Sequence, residues 1–365
     1  MQKTPLNPSE AALLDAMMAD MDSQQAVYRP GAYWAPKVRV AAQAVRDNGY
    51  RNFRSAHSVV GLSYADNPQT HYATQLSPKR QAIYKLLTSL PVVRDIIDGQ
   101  CRMTTNAYGS FQMHQRYIAE TSPEVSALVK KYDLSRSTTF GSENEVVVNG
   151  QAISAHYLEL CQQMDEIRSR VDLDRVTSVF EIGGGFGTMA HILLQNFPNI
   201  KTYVYLDIPP NLFIGTQYLR SLYPNAVRDY KDLQNLQEID IESHGNGPTI
   251  YCICPWQIER LRGTIDLFYN SHSFVEMTKD IVSNYARFIE KVSGPQTQYA
   301  LVTYDGNDDK SLAPDKLADF FPYGSFSTFT KAKLFEPWRH NFYAVGKNKG
   351  AQENHDHQNQ VAAGR

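Results

Sequence analysis

Phe180-Glu181-Ile182-Gly183-Gly184-Gly185-Phe186-Gly187 decides how this 365-residue chain is read. An apolar β-type run (Val176, Val179, Phe180, Ile182) leads into it, and a helical run (Met189, Ala190, Ile192, Leu193, Leu194) leads out. The pattern is a strand, a glycine turn and a helix. Glycine has no Cβ and tolerates φ > 0, so such a turn lets backbone approach a ligand closely at a helix N-terminus. An ordinary tight βα turn also uses glycine, so the ligand has to be read from the register of the glycines.

A dinucleotide turn needs G-x-G-x-x-G. Counted from Gly183, the second glycine is present at Gly185, but Thr188 stands where the third belongs. The chain instead carries Glu181-x-Gly183-x-Gly185-x-Gly187. That pattern resembles the first motif of S-adenosylmethionine (SAM)-dependent methyltransferases of the Rossmann-like class. The resemblance implies a ligand with a methionine tail and a sulfonium, and no pyrophosphate. A second β-rich run, Thr202-Tyr203-Val204-Tyr205-Leu206-Asp207-Ile208, ends in an acid 20 residues beyond Gly187. Alone, Asp207 would read as a strand-end cap. At the tip of the second strand it can accept hydrogen bonds from both ribose hydroxyls. The expected cofactor is therefore SAM, with Glu181, Gly183, Gly185, Gly187 and Asp207 around it.

From residue 176 onward, strands alternate with helices on short links. Strands are expected over 176–182, 202–208, 249–254, 265–270 and 298–304, and helices over 188–197, 211–223 and 279–292. Two closing strands are expected near 329–335 and 341–346. This predicts an α/β fold, a parallel doubly wound sheet with an antiparallel strand at or near one edge, as in the seven-stranded methyltransferase sheet. Residues 1–175 lack that rhythm. Helical signals there start at Ser9 and cover 32–48, 78–90, 91–99, 123–132 and 154–171. The domain reading is a mainly helical lid or substrate domain over 1–175, a SAM-binding domain over 176–347, and a disordered polar tail over 348–365.

Composition narrows the function. Apolar residues make up 42% and charged residues 20%, as in ordinary globular proteins. Lys+Arg 36 against Asp+Glu 38 gives a net charge of −2, which disfavours a nucleic-acid substrate. No apolar run approaches the ~20 residues of a membrane span, and the N-terminus lacks a signal-peptide core. Cys101, Cys161, Cys252 and Cys254 contain no C-x-x-C and read as reduced thiols, consistent with a cytoplasmic protein.

Ligands of open α/β sheets sit outside the carboxyl ends of the strands, and that rule selects further candidates. After strand three comes Trp256, which could lie against the adenine. After strand four come Asn270, a cofactor candidate, then His272 and Glu276. Methyl transfer is an in-line displacement in which a neutral thioether leaves, so an alcohol acceptor needs help only in losing its proton. A histidine near its ordinary pKa of about 6.5 suits that task. His272 is therefore the expected catalytic base, with Glu276 four residues on to orient it or hold a substrate hydroxyl. Each would alternatively be structural, as a satisfied histidine and an ion-pair acid. Tyr108, His114, Tyr304 and Asp305 are the substrate-site candidates. Asp305 could join Glu276 or Asn270 around a divalent cation, but no spacing is diagnostic for metal ligands, and a metal is not favoured.

The glycine turn, Leu206-Asp207-Ile208-Pro209 and Asn270-Ser271-His272-Ser273-Phe274-Val275-Glu276-Met277 together resemble bacterial sugar O-methyltransferases. Tyr28-Arg29-Pro30-Gly31-Ala32-Tyr33-Trp34, Gly49-Tyr50-Arg51-Asn52-Phe53-Arg54, Phe140-Gly141-Ser142-Glu143 and Gly150-Gln151-Ala152-Ile153-Ser154 extend the likeness over most of residues 28–346. It implies methylation of a hydroxyl on a sugar, a glycosylated compound or a small natural product. Alternative readings are an N-, C- or carboxyl methyltransferase of a small biosynthetic intermediate, or a non-catalytic SAM-binding scaffold. The expected partner is a small-molecule or saccharide acceptor, with a homodimer left open.

Overall fold

The computed structural model describes residues 4–51, 53, 113–141, 145–242, 247–304 and 316–349. Two compact units emerge. One takes residues up to Asn7 with Arg39–Glu159, and the other takes Pro8–Val38 with residues from Leu160 onward. Residues 8–38 and 160–175 thus belong with the sheet-bearing unit, which differs from the boundary expected at 175.

Helices α1 (Pro8–Ser23) and α2 (Ala35–Asn48) come first, and the unit boundary falls inside α2. The first unit also holds a helical stretch over 113–121 and α3 (Pro123–Lys131). Ser122 caps α3, its side chain accepting from the Val125 N–H, and Pro123 pre-sets the first turn. A hairpin follows, β1 (Glu145–Val148) and β2 (Gln151–Ser154). Its turn residues Asn149 and Gly150 both have positive φ, 52° and 81°. That is the backbone a two-residue hairpin turn demands. The mainly helical reading of residues 1–175 overlooks this hairpin, although Asn-Gly between apolar runs is a strong signal for one. The helices expected over 78–90 and 91–99 lie outside the described residues.

Helix α4 (Ala155–Arg168) leads into the second unit. Its sheet is built from β3 (Ser178–Ile182), β4 (Thr202–Leu206), β5 (Val227–Arg228), β7 (Thr249–Ile253), β9 (Ile265–Ser271), β10 (Ser293–Tyr304), β11 (Gly324–Ala332) and β12 (His340–Asn348). The order is β11-β12-β10-β9-β3-β4-β7-β5. All neighbouring pairs are parallel except those made by β12, which runs against both β10 and β11. The seven expected strands are all present. The eighth, β5, is a two-residue edge strand beside β7 that carries no length signal. Two further short strands, β6 (Ile239–Asp240) and β8 (Leu261–Arg262), pair separately.

Every residue of β3 and β4 is buried, as befits central parallel strands covered on both faces. Phe180 and Phe268 are register partners across β3 and β9, and their rings meet edge to face at 5.6 Å. Helices α5 (Thr188–Asn196) and α6 (Pro209–Leu222) return the chain from β3 to β4 and onward, and α7 (Tyr230–Leu233) follows β5. Helix α8 (Lys279–Lys291) joins β9 to β10. The chain moves from β3 to β4 on one side and reaches β9 on the other. That reversal opens a crevice at the carboxyl end of β3, where the glycine turn lies. Asn348 closes β12, and the tail from residue 350 lies outside the described residues.

Candidate active site

Gly183, Gly185 and Gly187 have φ of 74°, 61° and 89°, a left-handed region that side chains with a Cβ rarely adopt. The turn is also closed from within. A Cβ on Gly183 would lie 2.2 Å from the Ser273 Cβ, and one on Gly184 would lie 2.7 Å from Glu181 Oε2. Glu181 therefore sits beneath the turn. Its Oε2 accepts from the Tyr203 hydroxyl at 2.8 Å, and the side chain is buried. Burial pushes its pKa up to about 8, with the Tyr203 hydrogen bond opposing and the Asp207 charge adding to the rise. Tyr205 braces the same turn, its hydroxyl donating to Gly185 O at 2.5 Å.

Asp207 stands at the tip of β4 as the sequence requires. Its Oδ2 accepts from the Gly185 N–H at 2.8 Å and its Oδ1 from the Ile208 N–H at 2.7 Å. Burial raises its pKa to about 7, against the pull of those two N–H groups and of Asn211, and the Glu276 charge raises it further. With the Asn211 side chain counted, three of the carboxylate's four acceptor directions are used and one remains. Asn211, 5% exposed, leaves its Oδ1 without a hydrogen-bond partner among the described residues. An orphaned buried acceptor beside a buried carboxylate is costly unless a donor-rich ligand arrives.

The tip of β9 differs from expectation. Asn270 is spent within the protein: its Nδ2 donates to Ile182 O at 2.8 Å and to Ser273 Oγ at 2.6 Å, tying β9 to β3. The backbone then turns left-handed at His272, φ 62°. This brings Ser273 beneath Gly183. The His272 ring is buried, with Nδ1 2.8 Å from Ser271 Oγ and Nε2 3.1 Å from Asn341 Oδ1. Both ring nitrogens therefore have a partner, and Ser271 in turn donates to Gln163 Oε1 at 3.0 Å. Burial lowers the His272 pKa to about 4, with the Asn341 hydrogen bond opposing and the Lys333 charge reinforcing. The geometry thus counts against His272 as a proton acceptor, because both ring nitrogens are already hydrogen-bonded within the protein. Tyr304, 40% exposed, packs against it with centroids 4.3 Å apart and the rings tilted by 39°.

Glu276 lies in a short 3-10 turn, Phe274–Glu276, and is half-buried. Its Oε2 accepts from the Trp34 Nε1–H at 2.7 Å. Its charge acts on Asp207, so the two carboxylates share one neighbourhood. Trp34, Ser273 and Asn211 are the members of this neighbourhood that strand-end reasoning missed. Trp34 appears in the sequence only as part of an aromatic segment far from the sheet, and nothing local signals its partner.

Trp256 follows β7 in the turn Pro255–Arg260. It is 8% exposed, meets Tyr230 edge to face at 6.2 Å, and lines a separate cavity. His114 lies on the 113–121 helix of the other unit. Tyr108 and Asp305 lie outside the described residues. Among the described residues no group of three His, Cys, Asp or Glu is placed to hold a metal ion, and no helix is long and apolar enough to cross a membrane. Cys161, Cys252 and Cys254 are buried and form no disulfide among the described residues.

No family model matches this sequence, and neither does any curated protein. Among solved structures, the chain is similar to magnesium protoporphyrin IX methyltransferase from Synechocystis PCC 6803 with bound SAM. The identity is 11% over 53% of this chain and 80% of that one, at a TM-score of 0.35. It is similar to an O-methyltransferase from Bacillus cereus in complex with SAH at 12% identity, over 51% and 81% of the two chains, TM-score 0.34. Human N-acetylserotonin methyltransferase in complex with SAM gives 13% identity, 54% of each chain and a TM-score of 0.37. No functional role is transferred from likenesses this distant.

Proposed function

We propose that this protein is a SAM-dependent O-methyltransferase that acts on a hydroxyl of a sugar or small natural product. One observation carries the reading. Asp207 at the tip of β4 is bonded to the glycine turn that follows β3, at the point where the strand order reverses. The residues present fit the cofactor. Asp207 has one free acceptor direction and Asn211 has an orphaned Oδ1, together an acceptor set suited to two ribose hydroxyls. The left-handed glycines hold the backbone of the turn free of side chains on that path. When bound, SAM supplies an electrophilic methyl group on a sulfonium.

The chain's own contribution is mainly alignment, which supplies much of the rate in reactions of this kind. Glu276 takes the acceptor's proton, held in place by the Trp34 indole. His272 acts as a positioning residue, and its buried ring fixes the left-handed corner that carries Ser273 and Glu276. Asn270 pins the same corner to β3.

The test is calorimetric binding of S-adenosylhomocysteine, followed by its release from SAM in the presence of a panel of sugars and small alcohols. Binding and hydroxyl-dependent release are expected. Absence of binding to either nucleoside would overturn the reading, and release driven by amines alone would change the acceptor class.

A further inference from the structure

Helix α4 reaches the tip of β9 through one side chain. Tyr269 and Ser271, two residues apart on β9, share a face of the sheet. Gln163 of α4 meets both: its Oε1 accepts from the Ser271 hydroxyl at 3.0 Å and from the Tyr269 hydroxyl at 3.3 Å. Gln163 is buried, and its neighbours on α4 hold the helix in place. Gln162 donates to Ala332 O at 3.3 Å, and Glu166 pairs with Lys331 at 3.1 Å. The Gln163 amide is thus an acceptor whose position is set by its surroundings.

The protons of this network can be counted. Ser271 carries one hydroxyl proton, and two acceptors stand within reach of it, Gln163 Oε1 at 3.0 Å and His272 Nδ1 at 2.8 Å. Burial depresses the His272 pKa to about 4, so the ring is neutral near pH 7 and carries one proton, on Nδ1 or on Nε2. When Ser271 donates to Gln163, its oxygen is left to accept, and Nδ1 must hold the ring proton. Nε2 is then bare, and the Asn341 amide, whose oxygen stands 3.1 Å away, turns to present its NH2 group. That turn disturbs no other side-chain bond of Asn341 among the described residues. When Ser271 donates to His272 instead, Gln163 Oε1 and Ser271 Oγ face each other as two acceptors with no proton between them. Turning Gln163 to repair this would set its NH2 group against the buried Tyr269 hydroxyl as well. The first arrangement leaves every contact with one proton, and it is the one that α4 favours.

We propose that Gln163 is a positioning residue of the site: by taking the Ser271 proton it holds His272 as the Nδ1–H tautomer, and so fixes the left-handed corner that carries Ser273 and Glu276. The effect on turnover rests on the methyltransferase reading with Glu276 as its base. The corner is short. His272 has φ 62°, and the Glu276 N–H bonds back to Ser273 O at 3.1 Å. A ring that loses its seat therefore shifts the carboxylate that follows it.

Long-range proton–nitrogen NMR on the full chain with labelled histidine, at neutral pH, reads the tautomer directly, and His272→Asn identifies the signal. The wild type should carry the ring proton on Nδ1. Gln163→Leu frees the Ser271 proton for Nδ1 and should move the ring proton to Nε2. Gln163→Glu keeps an acceptor in place and should hold it on Nδ1. With any hydroxyl acceptor that supports S-adenosylhomocysteine release, Gln163→Leu should lower kcat by about tenfold, Gln163→Glu should restore most of it, and S-adenosylhomocysteine affinity should stay nearly unchanged. Ser271→Ala cuts the same link without touching α4. It should give the loss seen in Gln163→Leu, and combining the two should add little. A wild-type ring proton on Nε2 overturns the proposal, as does a tautomer unmoved by Gln163→Leu. A moved tautomer with wild-type turnover overturns the positioning role. If no protein releases S-adenosylhomocysteine, wild type included, the methyltransferase reading fails, while the NMR comparison still decides what Gln163 does to His272.

Discussion

The Gly185 N–H donates to Asp207 Oδ2 at 2.8 Å, so the acid at the tip of β4 is bonded into the turn that follows β3. A consequence concerns pH. Burial, above all, holds Asp207 near a pKa of about 7 in the free protein. Only the ionised form accepts from a further hydroxyl without competing as a donor. Affinity for S-adenosylhomocysteine should therefore rise with pH up to about 7 and level off above it, by at most about tenfold per unit below that point. Asp207→Asn should bind about 10- to 100-fold more weakly, in line with loss of a charged acceptor, and should flatten the pH dependence. Calorimetry on both proteins on either side of neutrality gives the answer. A wild-type affinity indifferent to pH would count against Asp207 as the ribose acceptor.

Gly183 is constrained twice, by its φ of 74° and by Ser273 against its Cα. Gly183→Ala should lose about 2–4 kcal/mol of stability, from left-handed strain and overpacking together. Ser273→Gly removes the clash together with the Oγ bonds to Asn270 and Ile182 O, so it is also made singly as the reference for the pair. The double variant should recover roughly half of the loss in urea unfolding. No recovery would mean that the backbone angle, not Ser273, sets the requirement.

Legibility in the sequence follows from whether a feature is local. Residues that alternate strand, turn and helix announce themselves by period, so the sheet, its glycine turn and Asp207 were readable. The closing strands β11 and β12 are readable too, though β11 starts at Gly324, before the expected 329, and ends at Ala332, short of 335, and β12 runs slightly past 341–346 at both ends. Strand β5 was not, because two residues carry no period. The hairpin at Asn149-Gly150 is legible in its Asn-Gly turn, although the residues around it carry helical signals. At the tip of β9 the residue types pointed to chemistry, but a single backbone angle at His272 decides where the ring goes. That angle is enforced by Ile182, Gln163 and Asn341 from distant segments, and no local pattern encodes it.

Glu181 offers a test of the buried support beneath the turn. Its folded pKa of about 8 lies above the ordinary carboxyl value, so the native state binds the proton more tightly than the unfolded chain. Stability from this group is full below the unfolded pKa and is lost as pH rises toward about 8, by up to about 1.4 kcal/mol per unit. Glu181→Gln keeps an acceptor for Tyr203 and cannot ionise. Its urea midpoint should therefore fall less than that of the wild type between acidic and mildly alkaline pH. Parallel curves for the two proteins would refute the assignment.

His272 has the opposite sign. Burial depresses its folded pKa to about 4 from 6.5, so the unfolded chain takes up the proton first and stability is lost as pH falls through that window. His272→Asn, which tolerates a left-handed backbone, should be more stable than His272→Ala by about 1 kcal/mol. Both should lack the wild type's acid sensitivity between those values. For turnover, a positioning role predicts substantial activity in His272→Asn and a pH–rate profile without a histidine limb. A complete loss of turnover in a folded His272→Asn, with cofactor affinity intact, would restore the ring as the base.

Glu276 accepts from Trp34 and shares its neighbourhood with Asp207, which makes it the group best placed to take a proton near the donor. Glu276→Gln preserves the oxygen that accepts from Trp34 and removes only the basic function. Turnover should fall by about 10²-fold or more, the usual worth of a positioned base, with S-adenosylhomocysteine affinity nearly unchanged. Trp34→Phe removes the hydrogen bond and keeps the carboxylate. It should raise KM and lower kcat modestly, because a base free to swing is misaligned but still basic. The two variants together separate chemistry from positioning. If Glu276→Gln turns over as fast as the wild type while Trp34→Phe is impaired, the carboxylate serves only to anchor the indole.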